Sequence, residues 1–135
     1  MNLNRLRVCE EADLRLRHLK ARTGLTPNLL CRLGFCLSLN DPTPPDPAQY
    51  PEDGPREINR YTLTGPWDSL FVALLKERCH QDGFGEEFLE DQFRAHINRG
   101  VLMLYKQMRD LSDLARLIPQ TSASLQELLL DAPTN

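Results

Sequence analysis

The sequence predicts a mainly α-helical, compact domain carrying a small two-stranded β ribbon. Three observations lead there. Segments 10–23, 27–39, 66–81 and 86–108 space their apolar residues as helices do. Two short segments, about residues 4–8 and 57–63, have strand character. Gly24, Gly65-Pro66 and the Gly83/Gly85 pair punctuate the helical runs.

The first strand is read from Asn4 to Val8, where Arg5 and Arg7 point one way and Leu6 and Val8 the other. The helix at 10–23 follows. Glu10, Glu11 and Asp13 suit its positive N-terminal end, and Lys20 and Arg22 its C-terminal end. Ala12, Leu16, Leu19 and Thr23 form one core-facing stripe. Leu14, His18 and Ala21 form a weaker stripe on the opposite side, which predicts a helix sandwiched inside the domain or between subunits. Gly24 stands where a left-handed C-cap is wanted; Thr26 offers an N-cap oxygen and Pro27 fits the first helical position. The helix at 27–39 is apolar almost all round, with Arg32 its only charge. It is too short to span a bilayer, so it is expected in the core or buried in an oligomer. Strand, helix, glycine turn and helix in this order make the N-terminal part ribbon-helix-helix-like, a pattern in which strands enter the DNA major groove.

Residues 40–56 hold six prolines and form an ordered loop or semi-rigid spacer rather than a helix. Residues 57–63, EINRYTL, are expected to pair with 4–8. A third helix runs from Gly65-Pro66 to about Gln81, with Trp67, Leu70, Phe71, Leu74, Leu75 and Cys79 expected inward. The long helix 86–108 keeps Leu89, Phe93, Ile97, Val101, Leu104 and Met108 in register. A short helix is expected at 112–118. The domain is expected to end there, at residues 1–118, leaving 119–135 as a mobile C-terminal tail whose SASLQELLL stretch suits a helical turn or a partner contact.

Composition excludes several classes. Hydrophobic content of 41% and charged content of 26% are those of a globular chain, and no apolar run reaches membrane-spanning length. The opening MNLNRLRV carries charge where a signal peptide needs an apolar stretch, which predicts a cytoplasmic protein whose four cysteines are thiols. There is no CxxC, and Cys31 and Cys36 do not share a helix face, so no metal site is expected and the cysteines read as small core side chains. Neither a GxxxxGK[ST] nor a GxGxxG is present, so no nucleotide cofactor is expected. The serines lack a nucleophile-elbow pattern. Arg94, His96 and Arg99 spread over more than one face of the long helix; a solvated or subunit-contacting surface is expected there, and no catalytic residue is assigned.

The charge distribution is the informative part. Residues 1–39 carry seven Lys/Arg and three Asp/Glu, a net +4, while residues 40–135 carry −7. A basic third on an acidic body predicts a local anionic partner. Arg5 and Arg7 lie on the outer face of the first strand, and Arg15, Arg17, Lys20 and Arg22 ring the first helix.

The runs NRLRVCEEADLRLRHLKARTGLTPNLLCRLGFCLSL, EINRYTLTG and DQFRAHINRGV together closely resemble the DndE family of DNA sulfur-modification proteins, from about Asn4 to Leu117. The resemblance implies a small, helical, oligomeric protein, a homotetramer by expectation. It implies binding to double-stranded DNA, nicked duplex in particular, beside a sulfur transferase and an ATPase-like protein of the phosphorothioation machinery. It attributes DNA contact to basic surface residues, here matched by Arg5, Arg7, Arg17, Lys20 and Arg22. The expected function is therefore a non-catalytic accessory subunit that holds duplex or nicked DNA by backbone contacts. Three alternatives stand beside it: a protein-docking adaptor using the acidic body and the leucine-rich tail, a weak nicking endonuclease using Arg94, His96 or Arg99, and a sequence-specific repressor of ribbon-helix-helix type.

Overall fold

The computed structural model describes residues 1–117. In chain order it forms β1 (Arg5–Arg7), α1 (Glu10–Thr23), α2 (Pro27–Leu39), β2 (Glu57–Asn59), α3 (Arg60–Thr64), α4 (Asp68–Gln81), α5 (Leu89–Gln107) and α6 (Leu114–Leu117). Short 3-10 turns occupy Pro47–Gln49, Gly65–Trp67, Glu86–Phe88 and Leu111–Asp113. The class is the expected one: mainly α, with one antiparallel two-stranded ribbon. The tail call, 119–135, lies outside the described residues.

The ribbon register sets Arg5 opposite Asn59, Leu6 opposite Ile58 and Arg7 opposite Glu57. Leu6 and Ile58 are its only core-facing pair and both are buried, so a slip of one residue would turn them to solvent and the arginines inward. The strand expected over 57–63 stops at 59. Asn59 ends it: its side-chain oxygen accepts from the backbone N–H groups of Tyr61 and Thr62 at 2.9 and 3.1 Å and starts α3.

The turn between α1 and α2 follows its local chemistry. Gly24 has φ 75 and its N–H donates to Lys20 O at 2.9 Å. Thr26 accepts from Leu29 N, and Pro27 opens α2. The expected stripe of α1, Ala12, Leu16, Leu19 and Thr23, is buried throughout.

The core is organised around α5, which packs on α1, α2 and α4. Leu89, Phe93, Ile97, Val101, Leu104 and Met108 are all buried as their spacing predicts. Phe35 of α2 sits at the centre, with ring centroids 5.3 Å from Phe71 and 5.7 Å from Phe93. The axes of α2 and α5 cross where Gly34 meets Gly100, and the two backbones touch there without intervening side chains. Asn98 ties α5 to the start of α1, its Oδ1 accepting from Cys9 N at 2.9 Å while its Nδ2 donates to Arg94 O at 2.8 Å. A buried amide is tolerated because both ends are paired.

Helix α4 corrects one expectation. Phe71, Leu75 and Cys79 are buried, but Trp67, Leu70 and Leu74 are 56%, 52% and 36% exposed. The inward face is the single i, i+4, i+8 row. Leu70 and Leu74 stand about 100° around the helix from it, beyond what α5 covers. Cys36 departs likewise: Cys9, Cys31 and Cys79 are buried free thiols, whereas Cys36 is exposed. Burial pushes the Cys31 thiol up to about 12.

The proline-rich connector between α2 and β2 is held down by side chains from α4 and α5. Arg78, 8% exposed at its side chain, donates Nε to Asp82 at 2.9 Å, Nη1 to Leu39 O at 2.8 Å, and Nη2 to the carbonyls of Asp41 and Thr43. Arg99 Nη2 donates to Ser38 O at 2.9 Å, and Nη1 to Thr43 O. Gln92 Nε2 donates to Pro45 O at 3.2 Å. Proline supplies no N–H, so the connector offers mostly acceptors, and arginine, which only donates, is the matching side chain.

Candidate nucleic-acid interface

The cations flagged in the sequence occupy two sides of α1. On the first side the ribbon presents Arg5, whose side chain is 70% exposed, and Arg7, 39% exposed. Both face Glu57 across the register, at 3.9 and 3.8 Å, and Arg7 Nη1 also donates to Gly54 O at 3.0 Å. Arg56, the residue before Glu57, reaches α1 and donates Nε to Asp13 at 2.7 Å. Asp13 is buried and takes a second guanidinium, Arg17 Nε at 3.3 Å, whose side chain remains 59% exposed. Lys20, one turn further along α1, is exposed. Arg56 and Asp13 thus tie the ribbon cations to those of α1.

Arg22 points elsewhere. It is five residues from Arg17, about 140° around the helix. Its Nη2 donates to Tyr105 Oη at 3.2 Å and its Cζ lies 4.7 Å from the Tyr105 ring centroid. Arg15, on the same side of α1, lies 4.2 Å from the same centroid. The sequence reading missed Tyr105. Its one available signal was the seven-residue spacing of Arg15 and Arg22, which puts them on one helix face.

Three of the five expected contact residues therefore already face carboxylates. The two pairs with Glu57 are exposed ones, of the kind that contribute roughly 0–1 kcal/mol in water. A phosphate oxygen can replace Glu57 without stranding a buried charge, and Asp13 keeps Arg56 if Arg17 turns to a phosphate.

Arg94, His96 and Arg99 do not form the solvated or subunit-facing surface expected of them. His96 is fully buried, 2.8 Å from Ser38 Oγ through Nδ1 and edge-on to Phe35 at 5.9 Å. Arg99 Nε donates to the same serine oxygen at 2.9 Å. Arg94 pairs with Glu52 at 3.5 Å and with Asp91 at 3.3 Å. The reason is that α5 is enclosed on several sides, so a polar face of the long helix points into the connector instead of water. A phosphodiester has no path to His96 while the core is closed.

The burial has a pH signature. Burial first, then the charges of Arg99 and Arg78, lower the His96 pKa to about 3 from an ordinary 6.5. Between those values the unfolded chain binds a proton that the folded chain refuses. The stability this contributes is complete above about pH 6.5 and is lost as pH falls toward 3, at about 1.4 kcal/mol per pH unit. Urea unfolding at pH 7 and pH 5 should show that decline, and His96→Gln should flatten it. An equal decline in the variant would assign the acid sensitivity to other groups.

A family model described as DndE, DNA sulphur modification protein DndE, matches residues 5–112. The chain belongs to the DndE family. The DndE match opens on Arg5 and closes on Ser112, so it takes in the ribbon, both sides of α1 and all of α5. Among solved structures, DndE from Escherichia coli B7A, described as involved in DNA phosphorothioation modification, is 26% identical, with a TM-score of 0.65 over 77% of this chain and 98% of that one. A DndE glycine-to-lysine mutant involved in DNA phosphorothioation shares the fold at 24% identity, TM-score 0.63, over 77% and 99% of the two chains. No curated protein matches the chain. Among the described residues of this DndE chain no helix is long and apolar enough to cross a membrane, and no group of three or more His, Cys, Asp or Glu side chains is arranged to hold a metal ion.

Proposed function

We propose that the protein is a non-catalytic DNA-binding subunit of the DNA phosphorothioation machinery. It holds duplex or nicked DNA through backbone contacts, working in the cytoplasm as a homo-oligomer, a tetramer by family resemblance. A sulfur transferase and an ATPase-like protein carry out the chemistry. The observation that carries this reading is the run of exposed cations from Arg5 and Arg7 on the ribbon to Arg17 and Lys20 on α1, coupled through Arg56 and Asp13. Guanidinium and ammonium contacts to phosphate position a protein on DNA without reading sequence, which suits a subunit serving a modification of the backbone itself. Membership of a DNA sulphur-modification family supports the same reading.

Gel-shift assays with intact and nicked duplex at two salt concentrations test it. Binding should weaken steeply with salt, and Arg17→Glu, Lys20→Glu and Arg22→Glu combined should abolish it. Each neutralised contact should lower the slope of log affinity against log salt by about 1. Absence of low-salt binding, or a triple variant that binds as the parent does, sinks the DNA role.

The exposed apolar row of Trp67, Leu70 and Leu74 favours a second reading, the protein-docking adaptor. Under that reading Leu70→Ser with Leu74→Ser removes capture of the sulfur transferase or ATPase-like partner and leaves DNA binding intact.

A further inference from the structure

We propose that Arg15 and Arg22, held over the Tyr105 ring, form an oxyanion clamp for a backbone phosphate of duplex DNA, on the side of α1 facing away from the ribbon. The proposal rests on the DNA-binding reading above, with which it shares Arg22, and adds Arg15, Tyr105 and His18.

Two like-charged guanidiniums share one aromatic ring, with Cζ atoms 4.2 and 4.7 Å from its centroid. Among the described residues neither is in an ion pair; the one acidic partner on α1 that takes an arginine of the same helix, Asp13, takes Arg17. Cation–π contact lowers the free energy of each guanidinium separately but does not neutralise either. Both charges therefore remain available to an anion. Arg22 is further fixed by its hydrogen bond to Tyr105 Oη at 3.2 Å, so the pair is already oriented and loses little side-chain freedom on binding. The third wall is His18, whose ring stands 6.1 Å from Tyr105. Its buried Nδ1 has no hydrogen-bond partner among the described residues. Buried polar atoms are seldom left so, and an unpartnered imidazole nitrogen beside two guanidiniums fits a ligand carrying oxygens with which it can share a hydrogen bond.

The ligand class follows from the donors. Planar guanidiniums match the paired oxygens of a phosphate, and an uncharged or cationic ligand would leave both charges without a counter-ion. The source is assigned to DNA because the ribbon cations lie on the other side of the same helix. A duplex lying along α1 presents phosphates to both.

The test measures duplex affinity as a function of salt for the full chain, Arg15→Gln, Tyr105→Leu, and Arg5→Gln with Arg7→Gln, each checked by thermal unfolding. In parallel, inorganic phosphate is titrated while the Arg15 and Arg22 Nε–Hε resonances are followed by NMR. The clamp predicts that Arg15→Gln lowers the salt slope by about 1. It also predicts that Tyr105→Leu, which keeps both charges, weakens binding at low salt, and that phosphate shifts both resonances. Arg15→Gln with parental affinity and slope, beside a ribbon variant that loses both, overturns the clamp and leaves the DNA reading standing. No duplex binding by the parent, with phosphate shifts present, makes free phosphate the ligand of the clamp and removes DNA from both proposals. Neither binding nor shifts overturns both.

Discussion

Gly100→Ala is expected to destabilise the fold by at least about 4 kcal/mol, enough to leave much of a domain of ordinary stability unfolded. A methyl group at Gly100 would overlap the carbonyl carbon and oxygen of Gly34 and come within 2.8 Å of its Cα. Those are backbone atoms of a packed helix, and no rotamer change relieves them. The crossing of α2 and α5 has to widen, and the packing of Phe35 between Phe71 and Phe93 goes with it. Gly34→Ala should be milder, because its methyl group meets Gly100 C and Val101 N at 2.8 Å, close but not coincident. Urea unfolding of both variants checks the ranking. If Gly100→Ala retained the parental midpoint, the close approach of the two helices would be wrong.

The second large effect is expected at Arg78. Arg78→Met keeps much of the volume of the side chain but removes every donor. The carbonyls of Leu39, Asp41 and Thr43 lose that partner, and Asp82, 8% exposed, is left a buried carboxylate without its cation. Breaking a buried pair from one side generally costs about 3–5 kcal/mol. Replacing Arg78 with Met and Asp82 with Leu together removes the stranded charge, so the double variant should recover part of the loss. A double variant no more stable than Arg78→Met would mean that the loop carbonyls, rather than the ion pair, carry the whole effect. Arg99 still holds Thr43 O in both variants, so the connector should loosen first around Leu39 and Asp41.

Local chemistry was legible from the residues alone. Gly24, Thr26 and Pro27 specify a helix end and a helix start by conformational preference, and the structure places them so. The alternation of the first strand and the buried row of α5 follow from periodicity, because one face of each element is covered, whereas the register that pairs Leu6 with Ile58 does not. Less legible was how wide that cover is. Nothing in the spacing of Trp67, Leu70 and Leu74 tells that α5 reaches only as far as Phe71, Leu75 and Cys79. Partners far apart in sequence were also hidden. Arg60 and Asp68 form a bidentate pair at 3.0 and 2.8 Å that also anchors the carbonyls of Met1 and Leu3. Arg60 holds the Asp68 carboxyl below the usual carboxylate range. At the candidate interface the cations could be counted from composition, but not their engagement. Glu57 and Asp13 become their partners only because the ribbon register and Arg56 bring them there.

A connector with six prolines in seventeen residues has the composition of a surface spacer. Here its Asp41, Thr43 and Pro45 carbonyls are occupied by Arg78, Arg99 and Gln92 of the two core helices. A protease needs several residues of extended, freely movable chain, and residues 39–45 can offer that only by releasing those side chains. Cleavage within residues 39–45 should therefore be slow in the parent and faster in Arg78→Met.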